Sequence, residues 1–178
     1  MKLILLFILL TNSMLSSFGQ KLLDSVFQKL ETDTTLTFQE NELKKIPKIN
    51  TKIKPPENFV ISEEIPGLVH PISSSTFEFQ EIFGIPYVMF NEAILKEDYK
   101  KQNGTLLESR EVKLLNETMG ILYLFEYKIE DRVYERLTFL TGDYNTTIWV
   151  NVSFLQSYKN KIEYIAIKSL LTIQHIKI

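Results

Sequence analysis

The chain has 178 residues, a formal net charge of −2 and no cysteine. A sequence without cysteine excludes disulfide bonds, thiolate metal sites and a cysteine nucleophile. The small net charge argues against a nucleic-acid-binding protein, which needs a basic surface. Beyond its N-terminal part, about 120 residues rich in Phe, Tyr, Ile and Leu are enough for one ordinary domain.

The N-terminus has the three parts of a secretory signal peptide. Lys2 supplies the positive charge, residues 3–10 are an unbroken apolar stretch, and Ser17-Phe18-Gly19 places small residues where a signal peptidase cuts. The apolar stretch is about half as long as the roughly 20 residues that a membrane span needs. We therefore predict a signal peptide over residues 1–19, cleavage before Gln20, and a secreted or periplasmic protein.

Residues 20–55 are predicted to be an N-terminal segment and a polar linker. Apolar residues between positions 21 and 30 recur at helical spacing, which indicates a short helix. From Glu31 to Pro56 the chain is rich in Thr, Lys, Asn and Glu, a composition typical of a linker that folds weakly. A single domain is predicted to follow over residues 56–178.

Within that domain, alternating apolar and polar residues separated by turn residues predict strands. Helical spacing predicts two helices, over residues 90–102 and 160–171. Hairpin-linked strands imply an antiparallel sheet, and two helices must cover its apolar faces, so the fold class is an α+β sandwich. The predicted strands cover residues 59–61, 76–83, 106–115, 120–129, 133–141 and 146–154.

Two parts of this domain resemble the Mog1/PsbP-like superfamily. The first is the stretch 59–82, with Ile65-Pro66-Gly67 and the strand containing Ser74-Ser75-Thr76-Phe77. The second runs from Thr141-Gly142-Asp143 through the strand around Trp149 to the helix ending near Leu171. The resemblance implies a three-layer α/β/α sandwich.

Members of this superfamily are mostly binding or assembly factors, among them a photosystem II extrinsic subunit, a Ran-binding import factor and secretion-effector chaperones. The resemblance therefore implies a class of protein rather than one activity. It carries no functional residue onto a position of this chain.

The candidate catalytic residues form no known motif. His70 and His175 are far apart in sequence and do not form a ligand-spaced pair. The serines at 73–75 lack the Gly-x-Ser-x-Gly context of a hydrolase. We predict no catalytic, cofactor-binding or metal-binding residue. Four glutamates are expected to be ordinary surface charges: Glu63, Glu64, Glu78 and Glu81. Asn-x-Ser/Thr sequons start at Asn103, Asn116, Asn145 and Asn151, and we interpret them as residues that favour turns.

Trp149 is the most informative aromatic residue. Strand alternation places it on one face with Asn151 and Ser153 and opposite Val150. If a helix covers this face completely, Trp149 belongs to the core, which is the commoner position for an aromatic side chain. If the helix leaves the face partly open, Trp149 would line a ligand or partner surface together with Tyr123, Tyr127 or Tyr134.

The leading hypothesis is an exported, non-enzymatic binding or assembly module that uses no cofactor. Its expected partner is an envelope or extracellular protein, not a nucleic acid, and no membrane-spanning segment is expected after signal cleavage. One alternative is a carrier of a small apolar ligand held between sheet and helix, which the many aromatic residues suggest. A second alternative is an enzyme of unknown class.

Overall fold

A computed structural model of the protein describes residues 21–176, and the predicted signal peptide lies outside these residues. The described chain forms three α-helices: α1 (Asp24–Glu31), α2 (Val88–Lys96) and α3 (Lys159–Leu170). The strands are β1 (Lys44–Lys45), β2 (Thr51–Ile53), β3 (Val60–Ile61), β4 (Gly67–His70), β5 (Ser75–Phe83), β6 (Gly104–Lys113), β7 (Met119–Ile129), β8 (Arg132–Gly142), β9 (Thr146–Leu155) and β10 (Gln174–His175).

Seven strands form one antiparallel sheet in the order β3-β4-β5-β9-β8-β7-β6. The predicted hairpin-linked antiparallel strands are confirmed in β6 to β9, because their alternating residues and tight turns specify local hairpins. Strand β5 pairs with β9, so the chain between β5 and β6 must cross the sheet to its opposite edge. Helix α2 lies in this crossover.

The first face of the sheet carries the larger part of the core. Period-two alternation places Leu124, Leu137 and Val152 in register on this face, and all three are buried. Helices α1 and α3 cover it with Leu30 and Ala166 among their buried residues. This face is therefore closed to solvent over its apolar area.

The second face has a smaller apolar cluster under α2. Tyr123, Phe125 and Leu140 are buried there and pack with Ile94 of α2. Helices on both faces give three layers, so the predicted α+β class and the α/β/α sandwich are confirmed.

The segment 31–56 is folded, which differs from the weakly folded linker that its composition predicts. Strand β2 pairs with β1 on one side and with β10 on the other, and Leu43, Ile46 and Ile53 are buried. The expectation of weak folding was wrong because a few apolar residues are enough to hold a segment when each of them is buried. The strand β10 that pairs with β2 comes from the far end of the chain, so the composition of the segment alone does not reveal this pairing.

The helix predicted within residues 21–30 is confirmed as α1. The domain boundary at residue 56 stays a prediction.

One further element differs from the predictions. The helix predicted over 90–102 divides into α2 and a 3-10 helix (Tyr99–Gln102), because Glu97 has an extended backbone. Gly67 begins β4, where a Cβ atom would sit only 1.8 Å from the carbonyl oxygen of Phe77. Between residues 21 and 176, no helix is long and apolar enough to cross a membrane.

Candidate functional site

The second face is only partly covered by α2. Beyond the apolar cluster, its side chains are polar or half-buried, and we call this area the open face. It includes Tyr134, Arg136, Asn151, Ser153 and Trp149, all of intermediate exposure. The register of β8 and β9 places Tyr134 opposite Leu155, Arg136 opposite Ser153, and Leu140 opposite Trp149.

Trp149 lies at the boundary between the covered cluster and the open face. Its ring packs edge-to-face on Phe90 of α2, with 5.5 Å between ring centroids. Its Nε1–H donates a hydrogen bond of 3.1 Å to Asn151 Oδ1, which also accepts from Thr138 Oγ1 at 2.8 Å. A cavity of about 300 Å³ with Gln80 in its wall lies beside this indole. The partly open alternative for Trp149 therefore describes its position better than complete burial.

The three tyrosines predicted to accompany Trp149 have different environments. Tyr123 is fully buried and donates a hydrogen bond of 2.8 Å to Asn91 Oδ1, so it belongs to the core and not to a surface. Burial raises the pKa of the Tyr123 hydroxyl to about 12. Tyr123 was a candidate for the binding surface only because strand alternation cannot show where α2 ends.

Tyr127 and Tyr134 face each other across the β7–β8 pair, near the end of the sheet remote from the β8–β9 turn. The Arg136 guanidinium lies 4.9 Å from the centre of the Tyr127 ring, and Arg136 Nε donates a hydrogen bond of 3.1 Å to Ser153 Oγ. Burial raises the pKa of Tyr127, and Arg136 opposes that rise. Tyr134 lines a separate cavity of about 310 Å³. Arg136 is thus held in a fixed orientation on the open face.

An exposed apolar segment connects the end of β5 to Phe90, the residue of α2 that packs on Trp149. Phe83, Ile85, Val88 and Met89 have between 38% and 67% of their surface exposed, and we call these four residues the apolar rim. The backbone of the rim is fixed, because Thr147 Oγ1 donates to the Ile85 carbonyl at 2.7 Å. Sequence reasoning missed the rim, although the signal was present: large apolar residues surround the turn residues Gly84 and Pro86.

The structure brings together one Ser–His pair that sequence reasoning did not connect. Ser73 Oγ lies 2.9 Å from His70 Nδ1, and the Ser73 backbone N–H donates to the same nitrogen at 3.1 Å. Ser73 also contacts the hydroxyl of buried Ser75 at 2.7 Å. No described carboxylate is hydrogen-bonded to His70, so the contacts tie the β4–β5 turn together and do not form a catalytic triad.

The remaining candidates are dispersed. Glu81 accepts hydrogen bonds from the Asn50 N–H and from Thr51 Oγ1, which joins β5 to the β2 region, while Glu63, Glu64 and Glu78 are exposed. His175 lies in β10. In the described part of the chain, no three His, Cys, Asp or Glu residues are placed to hold a metal ion. The sequon residues Asn103, Asn116 and Asn145 lie at turns as predicted, whereas Asn151 lies within β9.

This architecture is a PsbP/Mog1-like fold, as the sequence resemblance implies. Cyanobacterial PsbP from Synechocystis sp. PCC 6803 matches it with a TM-score of 0.55 and 9% sequence identity, over 75% of this chain and 91% of that one. At this identity the likeness shows the fold alone. No protein-family profile matches the sequence, and no curated protein is similar to it.

Two other solved structures are similar at a lower level. The protein of unknown function PA94 from Pseudomonas aeruginosa has a TM-score of 0.47 and 10% identity, over 61% of this chain and 76% of that one. A Bacteroides thetaiotaomicron VPI-5482 protein has a TM-score of 0.44 and 12% identity, over 72% of this chain. This chain spans 46% of the length of the Bacteroides protein.

Proposed function

We propose that the protein is an exported, non-enzymatic binding module that engages an envelope or extracellular protein. The signal-peptide pattern of residues 1–19 supports export to a secreted or periplasmic location. The PsbP-like fold is compatible with an accessory or binding role, and fold alone identifies no partner. The proposal therefore depends on the surface of this chain.

The observation that carries the proposal is the apolar rim, which directly precedes Phe90, the residue of α2 that packs on Trp149. Soluble proteins rarely expose several large apolar side chains together unless that surface binds something. The neighbouring open face adds Trp149, Tyr134 and Arg136, and Trp, Tyr and Arg are the residue types that dominate binding energy at protein interfaces. An apolar border next to ordered polar groups fits a protein partner with an apolar projection and hydrogen-bonding groups around it.

Photo-crosslinking from the rim tests this proposal. We expect a photoreactive amino acid at Met89 to crosslink one discrete protein in the cells that naturally make this chain. The additional substitution Phe83→Ser should weaken that crosslink several-fold, because it removes an exposed apolar contact. Since Phe83 is 67% exposed, its loss should change the free energy of unfolding by about 0.5 kcal/mol or less.

Leu22 offers a matched control, because it is 53% exposed and lies on the other face of the sheet. It directly precedes Leu23 and α1, which cover the first face, whereas Met89 lies in α2 over the second face. A photoreactive residue at Leu22 should not capture the same protein. Equal capture from both positions, or no capture from Met89, would contradict the proposed surface.

A further inference from the structure

A groove on the opposite side of the molecule lies between α3 and the segment that was predicted to be a linker. Its volume is about 300 Å³, the lower limit of typical small-molecule sites. We call it the proline groove and define it by its apolar wall, formed by Leu36, Pro55, Pro56, Tyr164 and Ile165. Leu36, Tyr164 and Ile165 pack against the main core, so the floor of the groove is continuous with it.

Hydrogen bonds hold one side of the proline groove in place. Ser169 Oγ donates to the Lys54 carbonyl, and the Lys54 N–H donates to Thr172 Oγ1 at 2.9 Å. These bonds join the end of α3 to the residues just before Pro55 and Pro56, whose rings restrict the backbone further. This wall is therefore formed before any ligand arrives.

The other side is held by a charged cluster. Asp33 accepts hydrogen bonds from the Tyr164 hydroxyl and from Lys168 Nζ, the latter at 2.6 Å. One face of the Tyr164 ring is occupied by Lys29 Nζ, 3.9 Å from its centroid. Burial and the hydrogen bond to Asp33 raise the Tyr164 pKa to about 12, so its hydroxyl stays neutral.

The lysine charges at the groove are already compensated, and Glu57, the other charged residue of its lining, is exposed to solvent. Lys168 is paired with Asp33, and Lys54 Nζ lies 2.7 Å from Glu42 Oε1. The hydroxyls of Ser169 and Thr172 donate to backbone carbonyls. An anionic ligand would have to break one of these lysine pairs and would meet the Glu57 carboxylate, whereas an uncharged apolar ligand would leave the pairs intact.

We propose that the proline groove binds an uncharged small molecule with a flat aromatic body. Proline rings and a tyrosine ring form flat apolar surfaces on which such a molecule can stack. This site is separate from the apolar rim, and it differs from the ligand position between sheet and helix that the aromatic content suggested. Its occupant would contact both α3 and the folded N-terminal segment, and it would thereby stabilise their packing.

The test uses N-phenyl-1-naphthylamine as an uncharged aromatic probe and its sulfonated analogue 1-anilinonaphthalene-8-sulfonate as the anionic counterpart. We expect calorimetric titration of the protein from Gln20 onward to show that one molecule of the uncharged probe binds to each chain. The uncharged probe should also raise the melting temperature. We expect the anionic analogue to bind at least about tenfold more weakly. Absence of binding by the uncharged probe, or equal affinity for both probes, overturns the proposal.

Substitutions locate the site. Thr37 is exposed and lines the groove, so Thr37→Trp should obstruct it and weaken probe binding at least about tenfold. Thr34→Trp, at an exposed position outside the groove wall, should bind as the wild type does. Phe83→Ser should also bind normally, which separates this site from the apolar rim. Unchanged binding by Thr37→Trp, or binding lost in Phe83→Ser, overturns the assignment.

Discussion

Glu163 is a buried carboxylate with other carboxylates near it. It is 6% exposed, and Lys159 Nζ lies 3.0 Å from its Oε1 and 2.6 Å from Oε2 of buried Glu135. The contact with Lys159 is an ion pair without hydrogen-bond geometry, so Glu163 Oε1 accepts no hydrogen bond from any described residue. Burial raises the pKa of Glu163, and the charges of Glu135 and Glu108 raise it further against the opposing effect of Lys159.

A raised carboxyl pKa makes the folded state bind a proton more tightly than the unfolded state. Ionised Glu163 therefore destabilises the fold above its folded pKa, and this effect disappears as pH falls towards the ordinary carboxyl value of 4.5. We expect Glu163→Gln to gain stability relative to wild type as pH rises from about 5 to about 8. Urea unfolding at several pH values measures the difference.

The control for this titration is Glu92→Gln, an exposed change on α2 at a residue paired with Lys96. Its stability difference from wild type should stay constant over the same pH range. A Glu163→Gln difference that also stayed constant would show that the carboxyl has its ordinary pKa in the folded protein. Asp24 and Asp33 have lowered pKa values, so their ionised carboxylates stabilise the folded state. This stabilisation is lost only as the pH falls below their ordinary pKa of 3.8, outside the range of the titration.

Helix α1 is too short to be stable alone, so its contacts with the sheet must hold it. Its entry residue Leu23 is fully buried, and the Leu23 N–H donates to Glu108 Oε2 at 3.0 Å. Asp24 pairs with Arg110, whose guanidinium lies 4.5 Å from the centre of the Phe27 ring. The N-terminal segment thus joins β6 through both apolar and charged contacts.

Leu23→Ala should lower the free energy of unfolding by about 2–5 kcal/mol, the usual effect of truncating a buried leucine. Leu22→Ala is the matched control, because the adjacent leucine is 53% exposed; its effect should remain within about 0.5 kcal/mol. Urea unfolding of both variants provides the comparison. Similar small losses in the two variants would mean that α1 does not dock on the sheet in solution.

Elements specified by neighbouring residues could be predicted, and elements specified by distant ones could not. Strands β6 to β9 follow from alternation and from turns such as Gly142-Asp143, because each strand pairs with the next. Strand β2 has only three residues and pairs with β10, which lies more than a hundred positions later. No local sequence pattern therefore predicts it. The same reason applies to the second face of the sheet: the burial of Tyr123 and the partial exposure of Trp149 depend on where α2 ends.

At the scale of the whole molecule, the N-terminal segment is a part of the core. Between residues 21 and 55 it contributes six buried apolar side chains: Leu23, Val26, Leu30, Leu43, Ile46 and Ile53. Burial of each side chain is worth about 1.5–3 kcal/mol. Their sum is comparable with the about 5–15 kcal/mol by which a whole domain is stable. The residues from Glu57 onward would therefore expose much of the first face of the sheet if they stood alone.

We expect the chain from Gln20 onward, which begins at the predicted cleavage site, to unfold cooperatively in urea. The chain from Glu57 onward should show no cooperative transition, because the contacts of α1 and β2 are missing. A peptide of residues 20–56 added to the shorter chain should restore the transition, since the lost core contacts are non-covalent. If the shorter chain unfolded cooperatively at a similar urea concentration, the predicted boundary near residue 56 would mark an independent domain, and the N-terminal segment would be an attachment to it.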